Sequence, residues 1–180
     1  FTDAIRILRD ETSYSEMLSG MTISNIRRGQ FEVILKRYHI EKLYKLSHYF
    51  HGQYKKLIEL LFVRYEVEDL KVIIRNKYLN REKEDIEGML SFRNPLNTID
   101  YDYLISADSV NELIERLKGS IYYKYIKNFS EEMDNEGLFK LENNLDMAYF
   151  RAIRSFVKKL PKGDRTIIKN IIGFEADLLN

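Results

Sequence analysis

Apolar residues return along this chain in steps of three and four, the spacing of one helical face, and no stretch alternates with period two long enough to make a strand. In 31–50, Phe31, Ile34, Leu35, Tyr38, Leu43, Leu46 and Tyr49/Phe50 form one stripe. In 138–164 the stripe is Leu138, Leu141, Leu145, Ala148/Tyr149, Ala152/Ile153 and Phe156, and Pro161 with Gly163 predicts its end. Asp164 is then placed to cap the next helix. Val110, Leu113, Ile114 and Leu117 make a shorter face, opened by the capping-box spacing Ser109–Glu112 and closed by Gly119. Ser13–Glu16 repeats that spacing before Met17 and Leu18. Only two prolines interrupt the chain. The pattern predicts an all-α protein.

The pattern also repeats. "RYEVEDLK" (64–71) returns as "GFEADLLN" (173–180), with Tyr65 over Phe174, Glu66 over Glu175, Glu68 over Asp177 and Leu70 over Leu179 at an offset of 109. Upstream, "FEVILKRY" (31–38) lies over "LENNLDMA" (141–148) at an offset of 110, and "YSEMLSGMTI" (14–23) over "YDYLISADSV" (101–110) at 87. Each copy is expected to run a long helix, a short break and an apolar helix, with the acidic phrase opening the next one. "SFRNPLNTID" (91–100) has the composition of a linker. The expected organisation is a first helical repeat with its linker at 1–98 and a second at 99–180, cut short at its C-terminal helix as in a fragment of a longer chain. A recurring unit near a hundred residues is large enough to bury its own core.

Composition narrows the chemistry. Cysteine is absent, so thiolate ligands, disulfides and cysteine nucleophiles drop out within this sequence. The 29 Lys and Arg nearly balance the 28 Asp and Glu, so the chain carries no global polyelectrolyte signal. Its longest apolar runs, such as "LLFV" (60–63), are far too short to span a bilayer.

Candidate sites are few. His48 and His51 stand three apart at a helix end, with His39 nine back, but a zinc site would need a third suitably spaced ligand. Glu66, Glu68 and Asp69 could pair for acid–base work; read instead as a first helical turn, they complement the macrodipole. Arg151, Arg154, Lys158, Lys159 and Lys162 follow one helix face, and Tyr122, Tyr123 and Tyr125 crowd "IYYKYIKN" (121–128). Together they could imitate a stacking surface for nucleic acid; the near-neutral overall charge favours a solvated helix face or a docking face for an acidic partner. "LSGMT" and "PKGDR" lack the spacing of a phosphate loop. No catalytic, cofactor or metal set emerges.

Four stretches carry a family resemblance: "LKGSIYYKYI" (117–126), "LENNLDMAYF" (141–150), "YEVEDLKVIIRNK" (65–77) and "GFEADLLN" (173–180). They resemble the C subunit of V-type (A-type) ATP synthases, the family that includes the d subunit of the eukaryotic V-ATPase. The positions that define the repeat are Tyr65, Glu66, Asp69, Leu70, Arg75, Glu142, Leu145, Asp146, Phe174, Glu175 and Asp177. The resemblance implies a funnel-shaped, multi-repeat, all-helical subunit of the central stalk that does no chemistry and binds no cofactor or nucleotide. Its partners would be the central-shaft subunits and the membrane proteolipid ring. It would couple the two for proton or sodium transport, peripheral to the membrane on its cytoplasmic side. The other reading is a helical nucleic-acid-binding adaptor using the basic helix face.

Overall fold

A computed structural model of the chain describes residues 2–19, 26–93, 95–129 and 134–178. All regular structure among them is helical, in ten elements: α1 (Thr2–Glu11), α2 (Ser15–Leu18), α3 (Arg28–Ser47), α4 (Gly52–Tyr78), α5 (Lys83–Met89), α6 (Tyr101–Ile105), α7 (Val110–Arg116), α8 (Tyr123–Ile126), α9 (Asn135–Val157) and α10 (Lys162–Leu178). The all-α expectation holds. The end of "YSEMLSGMTI" and Leu179, the counterpart of Leu70, lie outside the described residues.

The chain divides into two compact units, Phe1–Lys45 and Leu46–Asn180. The first has a small core of Ile5, Leu18 and Phe31, with Leu8, Tyr14, Met17, Ile26 and Leu35 packed around it. Its Ser13–Glu16 capping box does not form, because α2 opens two residues later behind Tyr14 with no side-chain cap. Thr12 makes the turn instead: its hydroxyl accepts from the Tyr14 amide at 3.2 Å, and its carbonyl accepts from the Ser15 amide at 3.2 Å. Along α3 the expected stripe is only partly buried. Leu46 and Tyr49 are exposed, while Ile40, off the stripe, is buried.

The second unit is built on α4, which packs along α9 and also meets α5, α6 and α7; α9 in turn packs on α8 and α10. Helix α4 runs 27 residues without proline. Its C-terminus closes in a Schellman arrangement: Asn80 takes a positive φ, its amide donates to the Lys77 carbonyl, and the Arg81 amide donates to that of Asn76. The centre of the α9 stripe is as expected, with Leu141, Leu145, Ala148, Tyr149 and Ile153 buried; at its ends Leu138 and Phe156 are half-buried, and Val157 is buried in place of Phe156. The Ser109 cap of α7 forms, accepting from the Glu112 amide at 3.1 Å, and Gly119 takes φ +89 just beyond the helix. Asp164 does not cap α10. The helix already begins at Lys162, and Asp164 accepts from the Tyr54 hydroxyl at 2.7 Å.

The described residues of segment 91–100 are non-helical, as its composition predicts, but they lie inside the second unit, with Ser91 and Phe92 buried. Helices α3 and α9 end 110 residues apart (47 and 157), and α4 and α10 begin 110 apart (52 and 162).

Candidate functional site

The acidic phrase of the first copy does not open a helix. Glu66 and Asp69 sit in the middle of α4, and both are almost fully buried. In the second copy, Glu175 and Asp177 fall in the last turns of α10 rather than its first. The expected macrodipole role is therefore wrong for both copies. Glu66 and Asp69 occupy core positions in line with Phe62 and Ile73, at steps of four, three and four, where an apolar residue belongs.

A buried carboxylate persists only when its oxygens are satisfied by donors. Here the donors come from segment 91–100. Asp69 accepts from the Ser91 amide at 2.8 Å, the Ser91 hydroxyl at 2.9 Å and the Phe92 amide. Glu66 accepts from the amide and hydroxyl of Thr98 and from the Tyr122 hydroxyl at 2.6 Å. Two acids one turn apart thus hold both ends of the segment against α4. Beside these contacts the Phe92 ring stacks on Phe62 at 5.8 Å and lies 6.1 Å from Tyr65. Tyr122 is delivered to Glu66 by the turn at Gly119 and Ser120, where the positive φ of Gly119 suits glycine. Burial, reinforced by the charge and hydrogen bond of Glu66, pushes the Tyr122 phenol far above its usual pKa. Tyr101 is shifted the same way by burial and then by Asp69; its hydroxyl feels that carboxylate without reaching hydrogen-bond geometry.

A second set of polar contacts runs along another face of α4. Arg75 grips Glu142 of α9 through three contacts of 2.7–3.0 Å, and Lys71 reaches both oxygens of Asp146 at 2.6 Å. Arg64 pairs with Glu175 of α10, which also accepts from Tyr149 at 3.4 Å. Burial and then the charge of Glu175 raise the Tyr149 pKa. Basic residues at 64, 71 and 75 of α4 therefore brace acidic residues of α9 and α10. Leu70 and Leu145 are fully buried in the core they share.

Of the expected repeat-defining residues, this brings together Arg75 with Glu142, and leaves Glu175 and Asp146 paired with the unexpected Arg64 and Lys71. Phe174 is 67% exposed and Asp177 is exposed, unlike half-buried Tyr65. Ser91, Thr98, Tyr101 and Tyr122 were not legible as a set. The available signal was two acids on an apolar stripe, which demands buried donors without saying where in the chain they lie.

The other candidates separate. His48 lies in the turn after α3 and His51 precedes α4, so they do not share a helix face, and all three histidines are exposed. Among the described residues no three His, Cys, Asp or Glu side chains are grouped to hold a metal ion. Tyr122 is buried and Tyr123 donates to Glu115 at 2.8 Å, so the three tyrosines do not form the stacking surface that the nucleic-acid reading needs. The basic row is shorter than its sequence suggests: α9 ends at Val157, Lys159 lies in the turn, and Lys162 opens α10. Two shallow clefts flank segment 91–100, and neither is lined by Glu66 or Asp69. Glu66, Asp69 and Glu175 of the acidic phrase are engaged in holding helices or the linker, while Glu68 pairs with Arg64 along α4 and Asp177 is exposed. Among the described residues, no helix is long and apolar enough to cross a membrane.

Residues 1–180 match the family model described as ATP synthase (C/AC39) subunit. The chain belongs to this ATP synthase subunit family. Relatives of this C/AC39 chain include the C subunit of the A-type ATP synthase of Methanococcoides burtonii, 25% identical over 99% of the chain and 49% of the relative. That of Methanosarcina barkeri is 27% identical over 72% of the chain and 35% of the relative, and that of Halobacterium salinarum 28% over 48% and 25%. The chain spans about half the length of the first of these relatives.

Proposed function

We propose that this C/AC39 chain is part of a non-catalytic central-stalk subunit of a V/A-type ATP synthase, coupling the shaft of the soluble motor to the membrane proteolipid ring for proton or sodium transport. The observation that carries this reading is the use to which the ionisable residues are put. Glu66, Asp69, Glu142, Asp146 and Glu175 brace α4, α9, α10 and the linker, and neither Glu66 nor Asp69 lines either of the two clefts beside the linker. A coupler must be stiff, and cross-braced helices with a continuous apolar core meet that demand; an enzyme would need convergent groups left free to react. The equal spacing of helix ends supports the reading of a helical unit used twice, with copies at 1–98 and 99–180. The subunit works at the cytoplasmic face through its partners and binds neither nucleotide nor nucleic acid.

The test is reconstitution. The full-length subunit is mixed with shaft subunits and with proteolipid ring in detergent, and co-elution with each is measured. Binding to both at micromolar concentration is expected, and binding to neither would remove the coupler reading. Coupling is then read in vesicles, where omitting the subunit should abolish ATP-driven ion uptake while the soluble motor still hydrolyses ATP.

A further inference from the structure

The chain is balanced in charge as a whole but not along its length. Between Met147 and Gly173 it carries seven basic residues and a single acid, Asp164. That acid accepts from Tyr54. Within this stretch Arg151, Arg154 and Lys158 recur at steps of three and four, so they form one row along the end of α9, about 10 Å long at 1.5 Å per residue. All three are exposed. None pairs with a carboxylate among the described residues, whereas Arg64, Lys71 and Arg75 of α4 all do.

At the N-terminal end of the row the cations converge. Arg151 of α9 and Lys124 of α8 lie against the same ring, that of Tyr125, at 5.3 and 4.8 Å. Burial would raise the Tyr125 pKa, but the two cations outweigh it and bring it below the ordinary tyrosine value. The phenol thus registers a positive potential that no carboxylate offsets. One turn before Arg151, Met147 is 42% exposed, so the row continues into an apolar side chain.

We infer that the face formed by Met147, Arg151 and Arg154 of α9 and Lys158 at its C-cap, with Lys124 of α8, is a docking surface for an acidic helix of a partner subunit. This rests on the proposed stalk function and names the partner's chemistry. Guanidinium groups spaced by helical turns match carboxylates at the same spacing on a facing helix, with bidentate geometry available to each Arg. Met147 favours a protein over a phosphate polymer, since methionine is enriched at protein interfaces and gains little from a phosphodiester backbone.

The test uses the 180-residue chain and fluorescence anisotropy at low and physiological salt. The probe is a labelled helical peptide with glutamates at i, i+4, i+7 and i+11 and a leucine at one end. A labelled 20-base-pair DNA duplex and phosphatidylserine vesicles are measured beside it. Peptide binding that weakens with salt is expected, with a loss of about tenfold or more in the Arg151→Glu/Arg154→Glu/Lys158→Glu variant. A Lys55→Glu/Lys118→Glu control should bind as the parent does. Circular dichroism checks the fold, and the milder Arg154→Gln/Lys158→Gln variant should show a smaller loss in the same direction. In Arg151→Gln, the Tyr125 titration should move upward. The inference is overturned if the duplex or the vesicles bind more tightly than the peptide, if the peptide does not bind, or if the triple variant binds it unchanged. Co-elution separates this from the stalk reading: a full-length triple variant that assembles normally removes the surface and leaves the coupler, whereas an unaltered subunit that fails to assemble removes the coupler.

Discussion

At the scale of single residues, the second unit depends on acids placed where apolar side chains belong. Removing Asp69 would strand the buried amides of Ser91 and Phe92, so Asp69→Ala is expected to destabilise by about 3 kcal/mol in urea unfolding. Asp69→Asn keeps one acceptor oxygen and should lose less. The buried phenols give a separate, pH-dependent expectation. Tyr101, Tyr122 and Tyr149 have folded pKa values raised above the unfolded value of about 10. Above that pH the folded state therefore holds more protons than the unfolded one. The stability this confers is complete below pH ~10 and declines as the pH climbs further. In an alkaline titration followed at 295 nm, these three phenols should ionise only as the helical circular dichroism disappears, while Tyr125 ionises earlier. Early ionisation of all 13 tyrosines in the folded chain would contradict this burial.

At the scale of elements, the braces between α4 and α9 are unequal in exposure. Arg75 is 53% exposed and Glu142 only 11%. Arg75→Ala leaves a largely desolvated carboxylate alone, whereas Glu142→Ala leaves an arginine that water can reach. The first change should cost about 2 kcal/mol and the second less than about 1, with a double-mutant cycle giving a coupling near 1 kcal/mol. The core tells a sharper story: Ile153→Ala, at a fully buried position on α9, is expected to cost about 2–5 kcal/mol. Ile171→Ser, on the exposed side of α10, should stay within about 0.5 kcal/mol in this chain. Comparable losses at the two positions would mean that α10 packs differently. Helix positions, the α9 stripe and the Ser109 cap were legible in the sequence because they rest on local periodicity and capping. The role of Asp164 was not, because its partner Tyr54 is 110 residues away.

At the scale of the whole molecule, sequence copies and packed bodies are different divisions of the chain. The copies meet near residue 98, but the compact unit that contains both α4 and α9 begins at Leu46. Its core is continuous from Leu57 to Ile172. Residues 49–180 expressed alone are therefore expected to remain helical and to melt in one cooperative transition by circular dichroism. A broad, non-cooperative melt would show that they need the first 48 residues. The repeat reading had also expected the acidic phrase to open a helix. In the structure α4 runs straight through it, because no proline or glycine lies between Gly52 and Tyr78 and both faces of the phrase find partners.

The sequence alone determined that this chain is helical, where most of its helices run, that its phrases recur, and that it resembles the C-subunit family of ATP synthases, since these follow from periodicity, composition and motif. Tertiary structure decided what the acidic phrase is for. A carboxylate on an apolar stripe is intelligible only with its donors, and those of Glu66 and Asp69 come from a linker and a turn more than 20 residues away in the chain. Tertiary structure likewise decided which basic residues are already matched by acids and which are left facing outward, because pairing depends on distances in space that no local spacing encodes.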